Sequence, residues 1–394
     1  MNEFYKKILK NNVTVLFEKR QSPVVSISIN VNAGGGFETE KEKGMHHVIE
    51  HLLFKGTKTR TKKDIANTIE KKGGILNGFT SEETTSFWLK MPARHFDTGF
   101  GVLADTFLNP KFEKSEFDRE KSVIAEEIKL YNDNPTFYVL HKIKEMLYKK
   151  PFGLSLAGTV EGVRGLGRQH IMQKYKNDFK NKVVVSVVGR ANFENIYNFV
   201  GKFPKCSPNV INKKFGIINR ELFERRKSMD QAHFIFGYHC PEQGSEKRYF
   251  YDLILTYLAG GMSSVLHNEI REKRGLAYAI RPDIDRERNF GFSTIYVGAE
   301  KEKVKKIREI ILKSFNGLKK IRQKDFNETK EQLIGLRKLA EEDSGSVMHT
   351  LMFEEFGKNA EEYYKFDERI GTIRLKDVQN FKLKNFSTFS LLPE

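Results

Sequence analysis

GMHHVIEHLLFKGT, residues 44–57, sets three histidines and a glutamate within six consecutive positions. On a helix over 44–55, His47 and His51 stand one turn apart and project from one face, with Glu50 beside that face. His46 points about 100° away from His47. Two imidazoles at this spacing can hold one zinc ion through neutral nitrogens, and a neighbouring carboxylate can take a proton from water. The order HxxEH is a known catalytic pattern. The five residues alone also fit an ordinary polar helix, so the rest of the chain has to decide.

A catalytic zinc needs a third protein ligand and keeps a fourth position open. The helical spacing over 113–132 offers candidates. Glu120 and Glu127 are seven apart, two turns along one face, so one can bind metal while the other braces a ligating histidine. Glu126 points about 100° away from Glu127.

The chain then repeats itself. IEKKGG at 69–74 resembles REKRGL at 271–276, and SEFDREKSVIAEEI at 115–128 resembles QKDFNETKEQLIGL at 323–336. Phe117 matches Phe326 and Lys121 matches Lys330, and offsets of about 200 residues recur as in an internal duplication. Each half mixes strands with helices. VTVLFE, VVSISINVNAG and TTSFWLKMP alternate like half-buried strands, and 62–72 and 94–108 have helical spacing. The second half offers strands AHFIFGYH, AYAIRPDI and FGFSTIYVG with helices at 245–258, 263–273, 301–317 and 322–340. This predicts an α+β protein of two homologous domains, each a mostly antiparallel sheet with helices on one face. The expected boundaries are 1–205, a linker at 206–225 and 226–394. Prolines, asparagines and charge break the periodicity between 203 and 227.

At 394 residues the chain has room for two domains. No run approaches the roughly 18 apolar residues of a membrane span, and the N-terminus lacks a secretory pattern. Cys206 and Cys240 are the only cysteines and form no paired motif, which points to a reducing compartment, the cytoplasm or an organellar matrix. The formal charge of +17 raises nucleic acid as a partner. The lysines are interleaved with glutamates, as in KEKVKKIREIILKSFNGLKKIRQKD, which is the pattern of solvated helix faces. No DNA or RNA recognition motif is present, so no nucleic-acid or membrane partner is expected.

GMHHVIEHLLFKGT, LNGFTSEETTSF at 76–87 and REKSVIAEEI at 119–128, in that order, resemble the pitrilysin, insulin-degrading enzyme and mitochondrial processing peptidase family of zinc proteases. LAGGMSSVLHNEIREKRGLAYAI at 258–280 is similar to that family's second signature. The resemblance covers nearly the whole chain, including the repeat. It implies one Zn2+ per chain on His47, His51 and Glu127, Glu50 as general base, and Glu120 orienting a ligand. It places the family's substrate-holding pair on Arg271 and Tyr278, with Tyr278 also helping to polarise the scissile carbonyl. Asn77, Gly78 and Phe79 fall on the edge strand onto which an extended peptide is added by main-chain hydrogen bonds. The implied activity is zinc-dependent endoproteolysis of short or unfolded peptides, by a homodimer that encloses a chamber. A catalytically inactive assembly subunit is the alternative, since some relatives have that role. The chain departs from the family in the glycine run Gly34–Gly36, in His46, and in Gly78 where alanine is usual.

Overall fold

The protein is described from a computed structural model covering residues 3–394, and its contacts group into two compact units. The first holds the chain up to Lys129 together with Ser155–Lys213 and Ala340–Tyr363; the second holds Leu130–Leu154, Lys214–Leu339 and Tyr364–Glu394. The units therefore differ from the contiguous segments 1–205 and 226–394: a helix from each half of the sequence belongs to the unit built mainly from the other half.

The strands are β1 (Glu3–Ile8), β2 (Thr14–Lys19), β3 (Val24–Val31), β4 (Ile75–Thr80), β5 (Thr85–Pro92), β6 (Val183–Gly189), β7 (Glu221–Arg226), β8 (Ala232–His239), β9 (Ala277–Arg286), β10 (Gly291–Ala299) and β11 (Phe386–Pro393). The first unit orders its sheet β1-β2-β6-β3-β5-β4, and the second β7-β11-β8-β10-β9. Apart from β1, the two orders are the same, and each contains one parallel pair, β2 with β6 and β7 with β11, among antiparallel ones. The repeat extends to side chains. Phe117 and Phe326 are both buried, and Lys121 and Lys330 each lie 4.7 Å above the ring of that phenylalanine. Each lysine also donates to two backbone carbonyls, of Arg164 and Leu166 in one unit and of Gly371 and Ile373 in the other.

Strand β3 shows how the first unit is layered. Val25, Ile27, Ile29 and Val31 are fully buried and point to the face covered by α1 (Met45–Leu53) and α2 (Phe96–Leu108). The alternate residues Ser26, Ser28 and Asn30 point to the other face, as the two-residue period requires. That face is also buried, and its polar atoms are bonded: Asn30 Nδ2 donates to Ser28 Oγ at 2.8 Å, and Ser26 Oγ meets Ser344 Oγ at 2.9 Å. Its cover is the helix Ser344–Gly357, whose Val347, Met348, Leu351 and Met352 pack with Leu16, Val184 and Val188. In the second unit the helix Pro135–Leu147 does the same for β8 and β11, packing Val139 and Ile143 against Ile235 and Phe389.

The stretch read as a helix over 263–273 contains a π-helical turn at His267–Glu272. Wide turns of this kind are uncommon and occur at functional sites. Among the described residues no helix is long and apolar enough to cross a membrane.

Candidate metal centre

Helix α1 is set by its entry. Gly44 adopts a left-handed φ of 96°, and a Cβ there would lie 2.7 Å from the Ala157 carbonyl oxygen, so the turn requires glycine. The fully buried Glu38 carboxylate then accepts from the Gly44 N–H at 3.0 Å and the His46 N–H at 2.7 Å, satisfying donors at the helix start. His46 is held on both sides, Nδ1 by Glu38 at 2.8 Å and Nε2 by Asp178 at 3.1 Å. It is thus a packing residue that locks α1 in place.

His47 and His51 project from α1 with ring centroids 4.7 Å apart. They meet Glu127 on α3 (Lys114–Asp133): its Oε2 is 3.8 Å from His47 Nε2 and 3.5 Å from His51 Nε2. Among the described residues these three form the group of His, Cys, Asp or Glu side chains that can hold a metal, with one donor atom of each within 4.8 Å of the others. Tetrahedral zinc with bonds of about 2.0–2.1 Å requires ligand atoms roughly 3.3 Å apart. Two imidazole nitrogens and one carboxylate oxygen at these separations fit that ion.

The electrostatics suit a cation between them. Burial, assisted by the neighbouring His51, pushes the His47 pKa down to about 4, so its imidazole is neutral near pH 7. For His51 burial works in the same direction, but hydrogen bonds to Glu120 and Glu127 outweigh it and raise the pKa to about 9. A metal must displace that proton to bind. Glu120 touches His51 Nδ1 at 3.1 Å with one oxygen and Lys55 Nζ at 2.8 Å with the other. Burial pushes the Glu120 carboxyl pKa up, yet the bonds from His51 and Lys55 overcome it and hold it low. The same helix face therefore carries Glu127 toward both Nε2 atoms and Glu120 toward the far side of one ring.

Glu50 lies on α1 between the two histidines, and Thr80 Oγ1 donates to its carboxylate at 3.0 Å. Burial raises the Glu50 pKa above the usual carboxylate range, against the opposing influence of His51 and Thr80. Gly78 leaves room here, since a Cβ on it would come within 3.2 Å of Glu50 Cγ. Strand β4, with Asn77, Gly78 and Phe79, is the edge of its sheet. Asn77 turns its side-chain oxygen to the Gly78 N–H at 2.8 Å, while the Phe79 ring packs on His349.

Arg271 and Tyr278 belong to the second unit. Arg271 sits in the π-helical turn with its side chain about half exposed, and Tyr278 is 48% exposed on β9. Lys55, one turn after His51, was within reach of the same spacing argument that finds Glu120. Thr80, Glu38 and Asp178 carry no local signal, because they join the site only through tertiary folding.

Residues 13–160 match the model of the insulinase family, peptidase family M16, and residues 173–333 match that of the peptidase M16 inactive domain. A Bacillus subtilis protein, uncharacterized zinc protease YmxG, is 31% identical over 351 residues, covering 86% of this chain and 83% of its own. A solved protease from Helicobacter pylori superposes with a TM-score of 0.91 at 18% identity, covering 100% of both chains. A Pseudomonas fluorescens structure described as a peptidase M16 inactive domain gives 0.87 at 15% identity, covering 99% of this chain and 98% of that one. The resemblance read from GMHHVIEHLLFKGT and its companions is thereby established, and the chain belongs to peptidase family M16, the pitrilysin-like zinc proteases, in the branch with a single pair of domains.

Proposed function

We propose that this protein is a zinc metalloendopeptidase acting on short or unfolded peptides, with one zinc per chain on His47, His51 and Glu127. The convergence of those three donors beside the half-buried Glu50 carboxylate carries the reading. Zinc, when bound, supplies Lewis acidity that brings the pKa of water toward about 7 and polarises a carbonyl.

The chain's own residues do the rest. An extended peptide adds to the free edge of β4 at Asn77–Phe79, and main-chain pairing makes the choice of side chains broad. Glu50 takes the proton of the attacking water and returns it to the leaving amine nitrogen as the C–N bond breaks. Its raised pKa suits both halves of that task. Thr80 fixes the carboxylate, and Glu120 fixes the ring of His51. Arg271 holds the peptide backbone, and the Tyr278 hydroxyl donates a hydrogen bond to the oxyanion that forms. Two copies of the chain enclose the substrate, which limits access to peptides that can enter. The inactive-subunit alternative is typical of relatives that have lost ligands, and this chain keeps His47, His51, Glu127 and Glu50.

A fluorogenic peptide mixture, assayed with and without a chelator and after zinc restoration, tests this reading. Cleavage that disappears with the chelator and returns with zinc supports it. Cleavage indifferent to the chelator, or none with zinc bound, overturns it.

A further inference from the structure

The second unit holds Tyr278 in a way that an ordinary strand would not. Strands β9 and β10 pair regularly from Gly291 opposite Arg286 to Gly298 opposite Ala279, and then the register steps so that Ala299 faces Ala277. Tyr278 is the extra residue of a β-bulge. Such bulges re-aim a side chain that strict alternation would send elsewhere. Here the Tyr278 ring lies across the neighbouring strand at Gly298. A Cβ built on Gly298 would fall 2.4 Å from the Tyr278 hydroxyl oxygen and 2.5 Å from Cζ, so any side chain at 298 would expel the ring.

Two further groups meet it there. Tyr296, two residues before Gly298 and so on the same face of β10, is only 4% exposed, and Tyr278 is among the neighbours that push its phenol pKa up. Its hydroxyl lies 2.8 Å from His233 Nδ1 and 3.4 Å from Thr136 Oγ1. His233 stands opposite Gly298 on β8. Gly298 and His233 thus face each other across β10 and β8, and the missing side chain at 298 leaves the space that the Tyr278 ring occupies on that face. Burial pushes the Tyr296 phenol up to about 12, and burial, aided by Arg226, lowers the His233 pKa. Both are uncharged partners near neutrality.

We propose that Gly298, Tyr296 and His233 are positioning residues for Tyr278: the bulge and the glycine seat its ring, and the buried hydroxyl–imidazole pair fixes its oxygen. Donation from His233 Nδ1–H to Tyr296, and from the Tyr296 hydroxyl to Tyr278, leaves the Tyr278 proton for an acceptor on substrate. The exposed face of the ring remains open while its orientation is set before substrate arrives. The inference rests on the proposed action of Tyr278 at the scissile carbonyl.

The test is a double-mutant cycle on the full chain with zinc bound, reading kcat and KM separately on a fluorogenic peptide, with zinc content and thermal unfolding as controls. Tyr296→Phe removes the hydroxyl with little change of shape, and Gly298→Ala inserts the obstructing methyl. Each is expected to lower kcat by roughly 10- to 100-fold, the scale of a catalytic group displaced by about an ångström, with KM nearly unchanged. In the Tyr278→Phe background neither substitution should lower kcat further. An equal fractional loss in that background would show a structural effect unrelated to Tyr278 and overturn the proposal. Unaltered kcat in Tyr296→Phe, with Tyr278→Phe impaired, would overturn it as well while leaving the role of Tyr278 intact. Full activity in Tyr278→Phe would instead remove the role itself, and the positioning argument with it.

Discussion

One oxygen of Glu120 lies 3.1 Å from His51 Nδ1, which leaves the opposite nitrogen of that ring 3.5 Å from Glu127. The bond fixes the ring's rotation and tautomer, so Nε2 is presented as a donor to the metal. Glu120→Gln should lower zinc affinity about 10- to 100-fold, the usual scale for losing a carboxylate behind a ligating histidine. Competitive titration with a chromogenic chelator measures it. An unchanged affinity would mean that Glu120 serves only Lys55.

His349 supplies a pH-dependent contribution to stability. Its ring sits in the first unit between Phe79 and Trp88, with centroids 5.3 and 5.7 Å away, and its buried Nδ1 has no hydrogen-bond partner. Burial lowers its pKa from 6.5 to about 4, slightly offset by Asp343. The folded state therefore binds fewer protons than the unfolded one between those values, and stability falls as pH drops from 6.5 toward 4. The loss approaches about 3 kcal/mol at about 1.4 kcal/mol per pKa unit. Denaturant unfolding of His349→Phe across this range should show a shallower decline than the wild type; parallel curves would contradict the assignment.

The helix Ser344–Gly357 is predicted to be essential to the first unit although it lies in the second half of the sequence. Leu351 is fully buried against the sheet in the cluster with Leu16 and Val184. Leu351→Ala should cost about 2–5 kcal/mol, the range for a large-to-small change in a core. Chemical denaturation measures the cost, and a change below 1 kcal/mol would show that the sheet does not depend on this cover.

The same helix marks where the sequence stops being legible. Residues 45–53 and 114–133 have polar and apolar faces, and their spacing displays both the helix and the ligands. Residues 344–357 spread Val347, Met348, Leu351, Met352, Phe353 and Phe356 over about two thirds of the helix circumference, so no narrow stripe distinguishes a buried helix from a strand. The helix Pro135–Leu147 likewise shows no readable stripe, despite its Asn134 cap and its proline at the first turn. Both escape the sequence pattern for one reason: each covers a sheet from the other half of the chain, and periodicity describes a face without naming its partner. The repeat was readable because Phe117, Lys121, Phe326 and Lys330 keep the same contacts in both units. The bulge at Tyr278 was not, since it is a property of strand register.

The most direct test of the central claim uses Glu50→Gln, with bound zinc and peptide hydrolysis measured on the same preparation. The substitution keeps the shape and the Thr80 contact while removing the base. The account predicts zinc retained at one ion per chain and hydrolysis reduced by about 10²- to 10⁴-fold, the range for losing a general base. Full hydrolysis with zinc in place would contradict it.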